Sequence, residues 1–224
     1  MKRLVWMLSL FSALSYAEPE TIEWQALAPQ VTQEQVELPE VNEQQKRMLA
    51  HVILLSSKQE EAAKIKREQI AAELATQGID VEQALLAREQ YMQLEQRKAE
   101  ALNHQVDGTK VRLSGFVVPT KFSGVKATEF LLMPYAGACI HMPPPPANQV
   151  IKLSYPEGFE VQNVQYPVWV EGVIEPQLAT ENVQLVDGKV PVTMGYALKA
   201  QQIEHYYADD SERAAAPVAH SHQH

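Results

Sequence analysis

Several things are scarce in this chain, and each scarcity excludes something. There is one cysteine in 224 residues, which rules out an intramolecular disulfide and any zinc site made of cysteine alone. Bases are outnumbered, 19 Lys and Arg against 28 Asp and Glu, so the chain lacks the basic face that a general nucleic-acid binder needs for phosphates. Long apolar runs are missing too. The best is Leu4 to Leu14, eleven residues interrupted by Ser9 and Ser12. As a helix rising about 1.5 Å per residue, it cannot cross a hydrocarbon layer of about 30 Å. Apolar residues as a class are not scarce: 46% of the chain is hydrophobic, enough for a real core. The length suits one domain with an extension, or two small domains.

The apolar run has a context of its own. Lys2 and Arg3 precede it, and Ser15-Tyr16-Ala17 follows with small residues at the −3 and −1 positions of a cleavage site. Residues 1–17 therefore read as a secretory signal peptide cut after Ala17. A membrane anchor is the weaker alternative because of the length. No cysteine follows the run, so a lipid-anchored form is not expected. Loss of Lys2 and Arg3 takes the net charge from −9 to −11. The mature chain is expected to be soluble and periplasmic, in an oxidising space.

Residues 18–41 form an acidic, proline-punctuated arm whose strong anchors are Trp24 and Leu27. The arm either docks through Trp24 or stays on the surface without order. Residues 42–105 are different. Asn42 to Asn103 holds one glycine and no proline, and is rich in strong helix formers. Asn42 with Gln45, Ser57 with Glu60, and Asp80 with Gln83 have capping-box spacing, and Gly78 suits the residue after a helix end. The pattern predicts a helix over 43–76, with a break allowed at Ser56-Ser57, and another over 81–103. Val81, Leu85, Met92, Ala99 and Leu102 form a narrow stripe on the second. That predicts an antiparallel hairpin, serving as a spacer or as a docking surface for a partner helix or membrane protein. His51 and His104 read as surface or cap residues.

Composition shifts at Val106. Strand patterns cover Lys110–Val118, Thr128–Met133, Val150–Leu153, Val168–Ile174 and Val190–Glu204. Asp187-Gly188 is a hairpin dipeptide between Val183–Val186 and Val190–Thr193. Gly115 and Gly172 sit inside strands, where glycine marks bulges or barrel corners. About five strands in about 100 residues suggest a barrel of the oligonucleotide/oligosaccharide-binding (OB) type over 106–207, with a β-sandwich fragment as the alternative. The expected fold is α+β: a small five-stranded OB-like β-barrel preceded by a long helical hairpin extension. The barrel region carries seven bases against nine acids, so nucleic acid is not an expected ligand. Residues 208–224 are expected to be a disordered tail ending His220-Ser221-His222-Gln223-His224.

The densest chemical signal is Pro134 to Gln149. Cys139 and His141 are two apart, so an extended backbone puts both on one side. A thiolate and an imidazole are two ligands of a tetrahedral zinc or a copper(I) site. Pro143 to Pro146 stiffens the chain just after them. Two ligands are still needed, and Glu129, His205, the tail histidines or water are the candidates. A plainer reading is a buried cysteine beside a histidine that caps a loop carbonyl. An activated thiol is a third, but parallel side chains are poorly placed for proton transfer, so no enzyme is expected. A lone thiol in an oxidising space needs burial or a metal. His220, His222 and His224 could take Zn²⁺ more loosely.

Val111-Arg112-Leu113-Ser114-Gly115-Phe116-Val117-Val118-Pro119, Thr128–Leu132, Pro134-Tyr135, Gly137–His141, the proline run and Asn148-Gln149 together resemble a bacterial family called domain of unknown function 3299. Pro167–Gly172, Gly195-Tyr196 and Glu23–Pro29, with its Trp-x-x-Leu-x-Pro pattern, continue the likeness. The chain departs from that family's usual pattern in its long helical insert. The resemblance implies an exported protein, often encoded near an ATP-binding-cassette (ABC) transporter and sometimes linked to zinc supply. It favours a periplasmic accessory protein associated with zinc and an ABC transporter. The alternative is a non-catalytic envelope scaffold with Cys139 in its core.

Overall fold

A computed structural model of the protein describes residues 18–29, 35–138, 145–185 and 188–206. The expected signal peptide, Cys139, His141 and the tail histidines lie outside the described residues. So does Asp187 of the expected hairpin turn.

Alternation of apolar and polar residues builds the barrel. The strands are β1 (Glu20–Thr21), β2 (Lys110–Ser123), β3 (Lys126–Met133), β4 (Ile151–Phe159), β5 (Val168–Leu185) and β6 (Gly188–His205). Five of them close on themselves in the order β2-β3-β4-β6-β5, with β5 pairing back to β2. Every closing pair is antiparallel except β4 with β6. Val111, Leu113, Val117, Phe130, Leu132, Val168, Val170 and Ile174 fill the inside. Fully burying one such side chain stabilises by about 1.5–3 kcal/mol.

Both interior glycines lie where the wall must bend. At Gly115 the pairing of β2 passes from β5 to β3, with Gly115 opposite Val168 and Phe116 opposite Met133. At Gly172 the β5–β6 register slips. A Cβ at Gly172 would strike the backbone oxygen of Lys199 and come within 2.8 Å of Ala200 Cα.

The strand pattern read from sequence stops short in two places. β4 continues to Phe159, and β5 runs on through Pro176 to Leu185, with a register shift between Pro176 and Ala179. Pro176 interrupts the apolar alternation, so the sequence suggests a break where the strand only bulges. The lengthened β5–β6 hairpin carries Val183, Val192 and Met194 against Leu131 and Met133. Those two side chains alternate with Phe130 and Leu132 and so face out of the barrel, giving it a second, external core.

The arm docks. Thr21 lies beside Arg112 in a short parallel pairing, and Ile22, Trp24 and Leu27 are buried in the barrel's core.

The helical segment takes the break that the sequence allowed at Ser56-Ser57, so the expected first helix is two. There are three helices: α1 (Glu43–Ser56), α2 (Glu61–Thr76) and α3 (Val81–Glu100). Asn42 and Gln45 form the full capping box that starts α1, and Asp80 accepts from the backbone of Glu82 and Gln83 at the start of α3. Ser57 behaves differently from its reading. It closes α1, its hydroxyl donating to the Leu54 carbonyl, while α2 begins at Glu61 and the preceding Glu60 gives it no side-chain cap. Gly78, at φ +80°, ends α2. Gly78 N donates to Ala75 O and Ile79 N to Leu74 O, both at 3.0 Å, which is the Schellman arrangement with its apolar contact.

Val52, Leu55, Ile70, Leu74, Ile79, Val81 and Ala84 make one core. Only the first turns of α3 belong to it. At the other end, Leu102 packs against the barrel core. The stripe is thus divided between two cores, and residues 88–93 between them are exposed all round. No seam of a simple hairpin runs the length of α3. Among the described residues, no helix is long and apolar enough to cross a membrane.

Candidate functional site

The residues that distinguish this sequence converge where the arm, α3 and the barrel meet. Asn148 sits in a 3₁₀ turn, Ala147–Gln149, that follows the prolines. It is 4% exposed. Its amide donates to the carbonyls of Lys98 (2.8 Å) and Ala101 (3.1 Å). These lie at the C-terminus of α3, where helix carbonyls run out of partners along the helix. Next to it, Gln149 Nε2 donates to Trp24 O at 3.1 Å, and Trp24 Nε1 to Ser114 O at 2.7 Å.

Tyr196 completes the clasp from β6. Its hydroxyl donates to Leu27 O at 2.5 Å and accepts from Asn103 N at 2.6 Å. Asn103 Nδ2 in turn donates to Ala26 O at 2.8 Å. Burial pushes the Tyr196 phenol above its ordinary pKa, with the Asn103 N–H pulling the other way. Gly195 lets the pieces close: a Cβ there would lie 2.7 Å from both Ala147 O and Leu102 Cδ2. These donors and acceptors are used internally, so the clasp holds a geometry. Asn103 carried no functional signal in the sequence, because an asparagine after a helix is commonplace.

One open depression adjoins the clasp, and another lies elsewhere on the barrel. A groove of about 770 Å³ runs between Pro29, Lys98, Ala99, Pro146 and Gln149. A cleft of about 240 Å³ lies on the outer wall under the β5–β6 hairpin. The cleft is lined by two ion pairs, Lys121–Glu129 at 2.9 Å and Lys152–Glu181 at 2.7 Å.

Of the expected metal ligands, Glu129 and His205 are described. Glu129 alternates with inward Phe130 and faces outward, where Lys121 holds it. His205 pairs with Val168, whose side chain lies inside the barrel, and its ring is 4.9 Å from that of Phe159. The two therefore point to opposite faces of the wall and are not brought together. Among the described residues no group of three His, Cys, Asp or Glu could hold a metal ion. On either side of residues 139–144, Ala138 is fully buried in the external core and Pro145 is buried.

On the far wall, Arg112 lies 4.8 Å over the Trp169 ring and 3.2 Å from the Glu171 carboxylate. Tyr206 stacks on Trp169 at 5.3 Å. The register puts Arg112 level with Glu171 and Tyr206 beside Pro167, so the two lie two residues either side of Trp169 at the start of β5.

Among curated proteins nothing matches the chain. A crystal structure of a DUF3299 family protein from Pseudomonas aeruginosa PAO1 is similar in fold, with a TM-score of 0.50 and 22% identity over 86% of this chain and 99% of that one. The sequence model of the family described as protein of unknown function (DUF3299) matches residues 24–205, from the tryptophan of the clasp to the last residue of β6. This chain belongs to the DUF3299 family.

Proposed function

We propose that the protein is an exported, non-catalytic scaffold of the cell envelope, in which a rigid barrel carries a helical arm that binds a protein partner. The strand order, with its single parallel pair, supports an OB-like comparison for the barrel. One observation carries the functional reading. α3 is held at one end by the Asn148–Tyr196 clasp and at the other by the helical core, while Tyr91 and Met92 between them stand 37% and 51% exposed. These residues continue the face that buries Val81 and Ala84. A solvated span with apolar side chains fixed in direction suits a partner surface. A photo-crosslinker placed at Met92 in cells should give one discrete adduct. A ladder of unspecific products, or none, would remove the reading.

Zinc association with an ABC transporter is the second reading, and it rests on Cys139 and His141. The burial of Ala138 supports it, since that residue fixes the chain immediately before Cys139. Cys139 and His141 would supply two ligands, with Glu129 or His205 as a third, and His220, His222 and His224 a looser capture point. Zinc bound there would hold the thiol as a thiolate and protect it from oxidation. The test is metal content of untagged protein, then of Cys139→Ser, His141→Ala and a chain ending at Ala208. Equal zinc in all of them would discard these ligands.

A further inference from the structure

The β2–β3 hairpin ends in Lys121-Phe122-Ser123-Gly124-Val125-Lys126, all of it exposed. Gly124 takes φ +64° with open space around it, so the turn projects freely. Val125 is 82% and Phe122 60% exposed, more than any other large apolar residue described. Folding rarely leaves two such side chains at one apex without a use. The apex carries no acid. Both of its charges are lysines, one on each side of the apolar pair, in a chain with a large acidic surplus. β2 holds no acid. Glu129 of β3 is paired with Lys121, and the nearby acids of the β4 end are Glu157, which accepts from the Tyr155 hydroxyl, and the exposed Glu160.

The next level of the barrel is aromatic. Phe122 is opposite Ala127, and Ala127 opposite Phe159. The Phe159 ring touches His205, and Tyr206 follows, stacked on Trp169. An apolar apex, flanking lysines and a collar of amphipathic rings is the order in which a protein meets a bilayer: acyl chains first, then phosphates, then the wet interface.

We propose that this end of the barrel rests on an anionic lipid surface, with Phe122 and Val125 entering the bilayer, Lys126 meeting lipid phosphates, and Lys121 joining it by exchanging Glu129 for a phosphate. The contact is shallow and reversible, since two side chains cannot act as an anchor. It is separate from the partner surface on α3 and does not depend on it.

The test uses the chain beginning at Glu18, so that Leu4–Leu14 cannot itself enter lipid. It is floated with vesicles of phosphatidylglycerol and phosphatidylethanolamine, and with phosphatidylcholine vesicles. Binding should favour the anionic vesicles and fall with salt. Phe122→Ser with Val125→Ser should weaken it at least tenfold at an unchanged melting temperature. Lys121→Gln with Lys126→Gln should remove the preference for anionic lipid. Absence of vesicle binding, or equal binding by the serine variant, overturns the proposal. Binding only to native membranes, lost when their proteins are shaved by protease, also overturns it and assigns the apex to a protein partner.

Discussion

The Tyr196 hydroxyl donates to the carbonyl of Leu27 across 169 positions of sequence. Through that one oxygen, β6 is tied to the N-terminal turn, and through Asn103 N to the chain leaving α3. Three segments far apart in sequence are thereby fixed at a single buried phenol.

Tyr196→Phe keeps the ring and deletes the oxygen. It leaves Leu27 O and Asn103 N without this partner, which should cost about 1–3 kcal/mol. A lower urea midpoint with an unchanged slope, together with faster protease cutting near Leu27, is the expected result.

The same phenol sets an alkaline response. Its folded pKa is raised by burial above the ordinary value of 10.0. The unfolded chain therefore ionises first, and stability is complete below about pH 10 and falls as pH rises towards the folded value. Tyr155, raised by burial and by Glu157, acts in the same sense. Urea titrations from pH 9 upward should show a shallower loss in Tyr196→Phe than in the parent, and Tyr155→Phe should change the loss in the same sense.

Asn148 is a donor to helix carbonyls, so its replacement separates size from chemistry. Asn148→Ala should cost about 1–3 kcal/mol. Asn148→Asp should cost more at neutral pH, because a carboxylate would face the negative end of α3 without a proton to give. Hydrogen exchange in the last turn of α3 and chemical denaturation would rank the two.

The β5–β6 hairpin offers a choice between charge and packing. Lys152–Glu181 lies at the surface, both side chains more than a third exposed, and such pairs contribute about 0–1 kcal/mol. Met194 is buried beside Leu131 and Met133. Met194→Ala should cost about 2–5 kcal/mol, and Glu181→Ala under about 1 kcal/mol. Similar losses from both would show that the hairpin is held by charge.

Gly172→Ala tests the barrel corner. The new methyl would meet backbone on the neighbouring strand, which cannot yield as a side-chain tip can. A loss of at least about 1–3 kcal/mol is expected, read as a fall in melting temperature.

Local physics made part of this legible in the sequence. The Asn42 capping box, the Asp80 cap and the Gly78 stop depend on neighbours three to five residues away, and all three appear. Inward alternation along β2 and β5, and glycine at the two bends, also follow from spacing alone. Ser57 misled because the same hydroxyl that can start a helix can close one. Which it does here depends on where the turn of α1 runs out. The stripe on α3 misled for another reason: periodicity reports which residues are apolar, and it is silent on how many partners share them.

The sequence by itself determined the local elements, the acidic balance, the lone cysteine just ahead of a run of four prolines, and the family. Only the tertiary structure decided that Asn148, Gln149, Tyr196 and Trp24 form one clasp, that α3 bridges two cores, and that Glu129 and His205 face opposite sides of the barrel wall. Helix caps and strand alternation are short-range, and so are written in consecutive residues. Contacts such as Tyr196 with Leu27 form only when the closed barrel brings distant segments together, and no local spacing encodes that closure.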